Sequence, residues 1–441
     1  MRLMLMLLIG VLTVTDVFGL DSNLAPGLSA KNFVMYMLGF VLILRVVVGG
    51  VKIKYELRSL HAAFLLLVGY AILTWLIAGL IIHYQSYKLL DSGITLKAGL
   101  ADHFIIFLLY FYGTQSSEDA RAIIKTLLLA VAFANAIAIV DAAAGLTIGV
   151  STVGDEGEEA GRVFGAFGHA NETAALTVCL LPAYAGMILY NKGVRRLLWI
   201  AVGAISTTLF FLNGSRGGFV GLLLGGLMGI FVCRQHLSAR TVVKWLVIAV
   251  IALVPIAWVI HETVGGVLIE RVTSTFLQLG ARQEERTDIW LPGIYRMMEY
   301  PVTLFTGFGW DTWVSMGFLF VAHNHYLKLW FELGLVGLLS YLWVIRMAVG
   351  TALRAIPIGS EALRSELTAF IFGILMMSVA IAFTLIARPW PYIWAYVGVA
   401  MRLAINGLNQ HKATAQAKQT VKPTAAGIRL GWQARPARSA N

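Results

Sequence analysis

The sequence predicts an all-α polytopic membrane protein with about twelve transmembrane helices. Of its 441 residues, 59% are hydrophobic and only 13% are charged, and the mean hydropathy is +0.78. A soluble fold cannot bury so much apolar surface. The apolar runs are about twenty residues long, which suits a helix that crosses a bilayer and exceeds the length of the strands in a membrane barrel.

Twelve apolar runs follow one another along the chain. The first begins after Arg2 and is interrupted by Asp16 near its end. It lacks the small-residue cleavage site of a signal peptide, so it is interpreted as the first span. The twelve predicted spans are 3–19, 33–50, 59–82, 98–114, 122–144, 173–191, 196–212, 217–233, 243–261, 325–345, 367–386 and 390–406.

Lysines and arginines in short loops predict the orientation, because they are retained on the cytoplasmic side of a membrane. With a cytoplasmic N-terminus, nearly all of these cations fall inside, and the opposite orientation would place nearly all of them outside. We therefore expect both termini in the cytoplasm and an even number of spans. The loop residues concerned are Lys52, Lys54, Arg58, Lys192, Arg195, Arg196, Arg234, Arg240, Lys244, Arg346, Arg354 and Arg364.

The chain divides into two regions. Residues 1–410 form the transmembrane domain, whose longest polar interruption is the loop 262–324. Residues 411–441 are rich in Lys, Ala, Thr, Gln and Pro without apolar periodicity, and we expect a basic, disordered cytoplasmic tail. Cys179 and Cys233 lie far apart in apolar runs, so the sequence indicates neither a disulfide framework nor a metal site built on cysteine.

Four polar segments fall on the outer face in this orientation: 145–172, Asn213–Gly218, 262–324 and Ala387–Pro391. The acidic run from Asp155 to Glu159 in the first of them is typical of a solvated loop.

The end of the first segment carries Arg162, His169, Asn171 and Glu172 among glycines, just before a span. Glycine lets the backbone approach a ligand closely. A ligand site and a flexible loop explain this pattern about equally well.

The second segment contains Ser215-Arg216 followed by two glycines. An arginine among small residues leaves room for a planar anion that accepts two hydrogen bonds. The alternative is an interfacial arginine that reaches for water from a tight turn. Because Arg216 stands on the side that membrane proteins keep poor in positive charge, the pattern favours a functional role.

In the large loop, the spacing of apolar residues predicts an amphipathic helix over Glu284 to Tyr300, which Pro292 would limit or kink. Arg286 and Trp290 are four residues apart and would share a face of it. A membrane-surface helix with aromatic anchors and no chemistry fits the periodicity as well. Gly307-Phe-Gly309-Trp310 is interpreted as a tight turn that returns the chain.

His323-Asn324-His325 stands at the mouth of the tenth predicted span. A neutral histidine is a suitable base near neutral pH. An interfacial histidine on its own is more often structural, and two histidines two residues apart do not fit two metal ligands on one helical face. Arginines at the same depth strengthen the functional interpretation, because together they suit a polyanionic lipid such as a pyrophosphate carrier.

In order along the chain, these elements resemble motifs of the bacterial O-antigen ligases, which form a superfamily with O-antigen polymerases and protein O-oligosaccharyltransferases. His323-Asn324, followed after nine residues by Gly334-x-x-Gly337, resembles the ligase signature. Ser215-Arg216-Gly-Gly resembles the Ser-Arg-Gly element of the superfamily.

Two further elements extend the resemblance. Arg286-x-x-x-Trp290 followed by Gly307-x-Gly309 resembles the start of the large periplasmic loop, and Arg162 to Asn171 resembles the element before the sixth span. The resemblance covers residues 155–340 by motif and the remainder by span count and loop position.

The resemblance implies a GT-C-like glycosyltransferase of the bacterial inner membrane. Its donor would be an O-antigen glycan on undecaprenyl pyrophosphate, and its acceptor a sugar hydroxyl of lipid A–core. Transfer would be inverting and periplasmic, without a nucleotide sugar, a metal or another cofactor. The expected partners are these two lipid-linked substrates and inner-membrane lipids, and no nucleic acid is expected.

The resemblance also implies residue roles. His323 would be the catalytic histidine, acting as general base on the acceptor hydroxyl, while Arg216 and Arg286 would bind the pyrophosphate and stabilise its leaving charge. His325 is a second candidate for the proton transfer, since it lies two residues away. The implied substrate-binding residues are Arg162, His169, Asn171, Trp290, Asn324, His325 and Arg388.

Three alternatives stay open. A polymerase would use another lipid-linked glycan as acceptor, and a protein glycosyltransferase would use Ser or Thr. A transporter of a lipid-linked anion is a different class of protein, and it should carry charged groups near mid-span on broken or repeated helices. The distinctive polar residues here cluster at one face, which favours the enzyme.

Overall fold

The computed structural model describes residues 1–20, 23–49, 57–150, 162–237, 283–318, 321–385 and 388–420, apart from the side chains of 283–286 and 418–420. Within these residues it contains fourteen helices and one short hairpin. The helices are α1 Arg2–Phe18, α2 Ala30–Val47, α3 Arg58–Ile82, α4 Leu89–Gly113, α5 Ser117–Ala144, α6 Ala170–Tyr190, α7 Gly193–Leu212, α8 Arg216–Cys233, α9 Gln283–Glu299, α10 Thr303–Thr306, α11 Thr312–Ser315, α12 His325–Ala355, α13 Glu361–Phe383 and α14 Trp390–Thr420.

In these described ranges, nine helices are long and apolar enough to cross a membrane. Large apolar side chains also stay exposed on helix surfaces, for example Leu73, Leu223, Leu227 and Phe231. Such an exposed apolar surface suits lipid and not water. The structure therefore confirms an all-α, multi-pass membrane protein.

A helix stands at eleven of the twelve predicted spans, and the predicted span 243–261 lies outside the described residues. Three boundaries differ most from the prediction. Helix α12 continues to Ala355, ten residues past the predicted end at 345. Helix α4 begins at Leu89 and not near residue 98, because the polar Lys97 is paired with Asp102 on the same helix, at 2.7 Å. Helix α14 runs to Thr420, so the first ten residues assigned to the tail are helical, since Ala, Gln and Lys extend an existing helix readily.

Where a short described turn joins consecutive helices, as between α7 and α8, the two helices run antiparallel. We name the two ends of the bundle after residues found there. At the His323 end, α1, α3, α5, α7 and α13 finish, and α2, α4, α6, α8, α12 and α14 begin. Contacts across the chain hold this end together: the Val150 N–H donates to Val17 O at 2.8 Å, and the Tyr326 hydroxyl donates to Ser378 O at 2.7 Å.

At the opposite end, the Arg121 end, side chains join helices that are far apart in sequence. Arg121 donates two hydrogen bonds to Glu366, at 2.7 and 3.2 Å. Arg402 donates to Phe111 O at 2.8 Å and lies over the ring of the same residue.

Small residues bring α8 close to α13. Gly217, Gly221, Gly225 and Gly229 recur every four residues along α8, and a Cβ atom added at Gly225 would lie 2.3 Å from Met376 Cα. Such a stripe lets two membrane helices pack backbone to backbone. Because Gly217 also lies against Phe383, this packing fixes the start of α8, where Arg216 stands, beside the end of α13.

The loop that enters α12 forms its own small core around Met297, Phe308, Trp313 and Phe331. Helix α9 occupies the place predicted for the amphipathic helix and continues through Pro292. The next residue, Gly293, lies under the Trp313 ring, where a Cβ atom would be 2.6 Å from the ring carbons. The Pro-Gly pair therefore allows a close helix–ring contact and does not end the helix.

Candidate functional site at the His323 end

His323 stands at the entrance to α12 in a strained conformation. Its φ is 45°, in the left-handed region that residues other than glycine rarely adopt. The next residue, Asn324, caps the helix, and its side-chain oxygen accepts from the Leu327 N–H at 3.0 Å. The half-buried His323 is thus held beside the positive end of a helix dipole, in the kind of backbone strain that clusters at functional sites.

Trp290 fixes the loop helix α9 next to this histidine. Its indole N–H donates to the carbonyl of Ala322 at 2.8 Å, one residue before His323. Arg286 lies one turn earlier on α9, and its side chain is outside the described part of the structure. This hydrogen bond brings the Arg286-x-x-x-Trp290 element next to the His-Asn element.

The glycines of two separate motifs meet directly. Gly334 interrupts α12 with φ 59° and ψ −167°, which frees carbonyl groups from the helical hydrogen-bond pattern. The N–H groups of Phe308 and Gly309 donate to Phe331 O at 2.9 Å and to Glu332 O at 2.8 Å.

No side chain fits between these two backbones. A Cβ atom on Gly307 would lie 2.2 Å from Glu332 O, and one on Gly334 would lie 2.2 Å from Phe305 O. The stretch Gly307–Trp310, predicted as a simple returning turn, docks on the break in α12.

Three tyrosines hold the other side of this docked stretch. Their hydroxyls donate to alternate carbonyls: Tyr70 to Thr306 at 2.8 Å, Tyr84 to Phe308 at 3.0 Å and Tyr87 to Trp310 at 2.7 Å. Burial raises the pKa of Tyr84 and raises that of Tyr87 to about 12, so both hydroxyls remain protonated donors at neutral pH. The loop is therefore clamped between α3 with its following turn and α12.

Arg162 is buried at the same end and organises the turn before α6. Its guanidinium donates to Asn213 O at 2.8 Å and to the Asn171 side-chain oxygen at 2.9 Å. His169 is the N-cap of α6 and stacks on Phe164, with ring centroids 5.1 Å apart. The first outer segment is therefore an ordered structure from Arg162 onward, and its acidic run lies outside the described residues.

Arg216 is the first residue of α8. The hydroxyl of Ser215 caps this helix by accepting from the Gly218 N–H at 3.1 Å. Since Arg162 binds Asn213 O, the turn before α8 is tied to the turn before α6. Arg216 itself is half-buried, beside the end of α13.

Arg388 lies in the short link before α14, with its side chain exposed. Its backbone N–H donates to the Glu172 carboxylate on the first turn of α6, at 3.2 Å. A Cβ atom on Gly168 would lie 3.4 Å from Arg388 Cδ, so this link also touches the Gly-His-Ala-Asn turn. The structure thus brings Arg388 to Arg162, His169 and Asn171 through their shared turn.

His325 has different surroundings from His323. It is partly buried among aromatic rings, with centroids 5.2 Å from Tyr341 and 5.3 Å from Trp390. Trp390 also faces His103 at 5.8 Å. This packing resembles a core contact more than a solvated base.

Sequence reasoning missed two groups of charged residues at this end. Glu332 is 1% exposed, and one of its oxygens, Oε1, has no hydrogen-bond partner although it lies 3.6 Å from Lys328 Nζ. The N–H groups of Asp311 and Trp313 hydrogen-bond to the same side chain, so Glu332 holds the turn that leads into α11. The signal was available, because an ionisable residue inside an apolar run is usually there for a reason.

The second missed group is built on Asp16, which the sequence treats only as an interruption of the first span. Its carboxylate binds Lys31 at 3.2 Å and accepts from the Tyr392 hydroxyl at 2.8 Å. It therefore joins α1 to the starts of α2 and α14, next to Arg388.

Several predicted site residues are in contact. Arg162 touches Asn171, and Trp290 touches the residue before His323. Arg216 and His323 stand at the starts of two helices at the same end. Within the described residues, no three His, Cys, Asp or Glu side chains form a group that could hold a metal ion.

Comparison with known proteins leaves the family undecided. No protein-family model matches the chain, and no curated protein is significantly similar to it.

Proposed function

We propose that this protein is an O-antigen ligase: an inverting glycosyltransferase that moves a glycan from undecaprenyl pyrophosphate to a sugar hydroxyl of lipid A–core. The proposal includes twelve spans with a GT-C-like arrangement and an inner-membrane location. It also includes cytoplasmic termini, and a periplasmic site at the His323 end that works without a metal.

One observation supports this proposal most. Three motif elements that are far apart in sequence each provide an N-cap at the same end of the bundle: His169 for α6, Ser215 for α8 and Asn324 for α12. Helix N-termini carry partial positive charge and favour anions. Arg162, Arg216 and Arg388 lie beside these caps, so helix dipoles and guanidinium groups act in the same direction. A pyrophosphate lipid is an anion that fits this arrangement.

The proposed chemistry follows from the positions of these groups. His323 takes the proton of the acceptor hydroxyl as that oxygen bonds to the anomeric carbon from the face opposite the leaving group. The bond between that carbon and the pyrophosphate oxygen breaks, and undecaprenyl pyrophosphate leaves with the electron pair. Arg216, Arg286 and Arg388 stabilise the charge that develops on the leaving group. His325, partly buried among aromatic rings, is assigned to packing.

The deciding experiment is transfer by the purified protein from lipid-linked glycan to lipid A–core. His323→Ala should lower the transfer rate by at least about a hundredfold, the usual contribution of a positioned base. His83→Ala is the matched control, because His83 also has a positive φ, of 53°, at the same end, but is exposed. Retained transfer in His323→Ala, with His83→Ala unchanged, would remove His323 from the mechanism.

Two further arms separate the alternatives. Offering lipid A–core together with a second lipid-linked glycan distinguishes a ligase from a polymerase by which acceptor is extended. Offering the donor alone to protein in vesicles tests for transport. Movement of the donor across the bilayer without any new glycosidic bond would overturn the enzyme and support a transporter.

A further inference from the structure

Asp16 is a buried carboxylate on α1 that binds side chains at the starts of α2 and α14. Lys31 at the start of α2 lies 3.2 Å from its Oδ1, and the Tyr392 hydroxyl donates to its Oδ2 at 2.8 Å. The Asp16 side chain is only 6% exposed. A charge at that depth costs several kcal/mol unless it is paired, and Lys31 and Tyr392 provide the partners of Asp16.

Tyr392 connects Asp16 to the segment that contains Arg388. It stands one turn after Arg388, and its backbone N–H donates to Pro389 O at 3.2 Å. Its ring meets the edge of Phe167, with centroids 4.8 Å apart, and Phe167 precedes Gly168, which lies against the Arg388 side chain.

The backbone from Arg388 into the first turn of α14 is therefore fixed from two sides. Glu172 binds the Arg388 backbone N–H, and Asp16 holds the first turn of α14 through Tyr392. The exposed guanidinium projects from a backbone that has little freedom, which is what recognition of a phosphate by two parallel hydrogen bonds requires.

We propose that Asp16 is a positioning residue for Arg388: through Tyr392 it fixes the start of α14 so that the Arg388 guanidinium faces an anionic ligand at the His323 end. The identity of the ligand as a polyprenyl pyrophosphate rests on the function proposed above. The positioning itself does not.

A second buried carboxylate, on α4, provides a matched control. Asp102 is held by the same kinds of partner: Lys97 at 2.7 Å and the Tyr36 hydroxyl, which donates to its Oδ1. Its side chain is 7% exposed, close to the value for Asp16. Among the described contacts, none joins this second triad to Arg388. Comparing variants of the Asp16 group with variants of the Asp102 group therefore distinguishes a positioning role from general stabilisation.

The first test needs no assumption about function. In a chain whose Cys179 and Cys233 are replaced by serine, Arg388→Cys is alkylated with a water-soluble maleimide, and Tyr392→Phe or Tyr36→Phe is added. Tyr392→Phe should raise the alkylation rate about three- to tenfold because the link is freed, and Tyr36→Phe should leave it unchanged. Equal rates in all three chains would overturn the proposal.

The second test measures binding of undecaprenyl pyrophosphate to the full-length protein. Arg388→Ala should raise the Kd about tenfold, and Asp16→Asn about fivefold, with thermal stability matched against Asp102→Asn. The double variant should bind no more weakly than Arg388→Ala, because both changes remove the same interaction. Additive losses would show that Asp16 acts independently of Arg388, and would overturn the proposal.

The two tests separate the two proposals. Faster alkylation after Tyr392→Phe in a protein that binds no polyprenyl pyrophosphate would support the positioning role and count against the glycosyltransferase. Normal glycan transfer with an unchanged alkylation rate would support the glycosyltransferase and contradict the positioning role.

Discussion

The two ends of the helix bundle are built differently. In the described part of the chain, all three non-glycine residues with positive φ, His83, Asp311 and His323, lie at the His323 end. The Arg121 end closes with a capping box between Ser116 and Asp119 and with ion pairs between helices. Both ends contain helix caps and ion pairs, so among the described residues the difference between them is the backbone strain at the His323 end. This difference is typical of a functional site supported by a rigid scaffold.

The largest expected effect is at the contact between Gly307 and Gly334. Gly334→Ala would force a positive φ on alanine and place its Cβ against Phe305 O, so we expect at least about 2 kcal/mol of destabilisation and loss of transfer. The measurement is thermal unfolding in detergent together with the transfer assay.

Gly350→Ala is the control for this change, because it lies on the same helix toward the Arg121 end and has no atom within 4 Å of an added Cβ. If Gly334→Ala matched this control, the proposed strain at the break in α12 would be incorrect.

A smaller effect is expected at the contact beside His323. Trp290→Phe removes the hydrogen bond to the buried Ala322 carbonyl, which should cost about 1–2 kcal/mol locally and lower kcat several-fold with little change in KM. Trp343→Phe, an exposed tryptophan on α12, should change neither. An unaltered kcat in Trp290→Phe would show that the contact between α9 and Ala322 does not contribute to the transfer step.

The stabilisation from the hydrogen bond between the Tyr87 hydroxyl and the Trp310 carbonyl should depend on pH. Tyr87→Phe is expected to cost about 1 kcal/mol at neutral pH, measured as a lower unfolding temperature. Because burial raises the pKa of Tyr87 from 10.0 to about 12, the folded state favours the protonated hydroxyl. Its contribution is fully present below pH 10 and is lost as pH rises to about 12.

The unfolding-temperature difference between the wild type and Tyr87→Phe should therefore stay constant up to about pH 9 and shrink above pH 10. Tyr295→Phe, at an exposed tyrosine, is the control. A difference that grew with pH would contradict the proposed donor role.

The smallest effect is expected at the Arg121 end. Glu366→Gln weakens a partly exposed ion pair, so we expect less than about 1 kcal/mol of destabilisation and an unchanged transfer rate. If this variant lost transfer while remaining folded, the two ends would not be functionally separate.

Much of the architecture could be predicted because hydropathy acts locally. Apolar runs of about twenty residues marked helices in the membrane, and the described helices follow them. The start of α4 was misplaced because Lys97 and Asp102 lower the local hydropathy, while in the structure they neutralise each other.

The site was predicted only in part. Arg162, His169, Asn171 and Asn324 could be selected from their neighbours in sequence. The last three stand at helix starts at one end, and Arg162 binds Asn171 there. The roles of Asp16 and Glu332 could not be predicted, since Asp16 binds Tyr392 across almost the entire chain, and Glu332 holds a turn about twenty residues before it. The role of the Arg286 side chain, which lies outside the described residues, stays a prediction.

The sequence by itself determined that this chain is a multi-pass membrane protein, because its composition leaves lipid as the only solvent for its apolar helices. It also determined which polar residues are unusual for such a protein. Only the tertiary structure decided how these residues meet. It docks Gly307 on Gly334, brings the Trp290 indole to the Ala322 carbonyl, and places the Asp16 carboxylate against Tyr392 at the start of α14. Such contacts depend on which helices are neighbours, and neighbouring helices are chosen by packing and not by the local pattern of hydropathy.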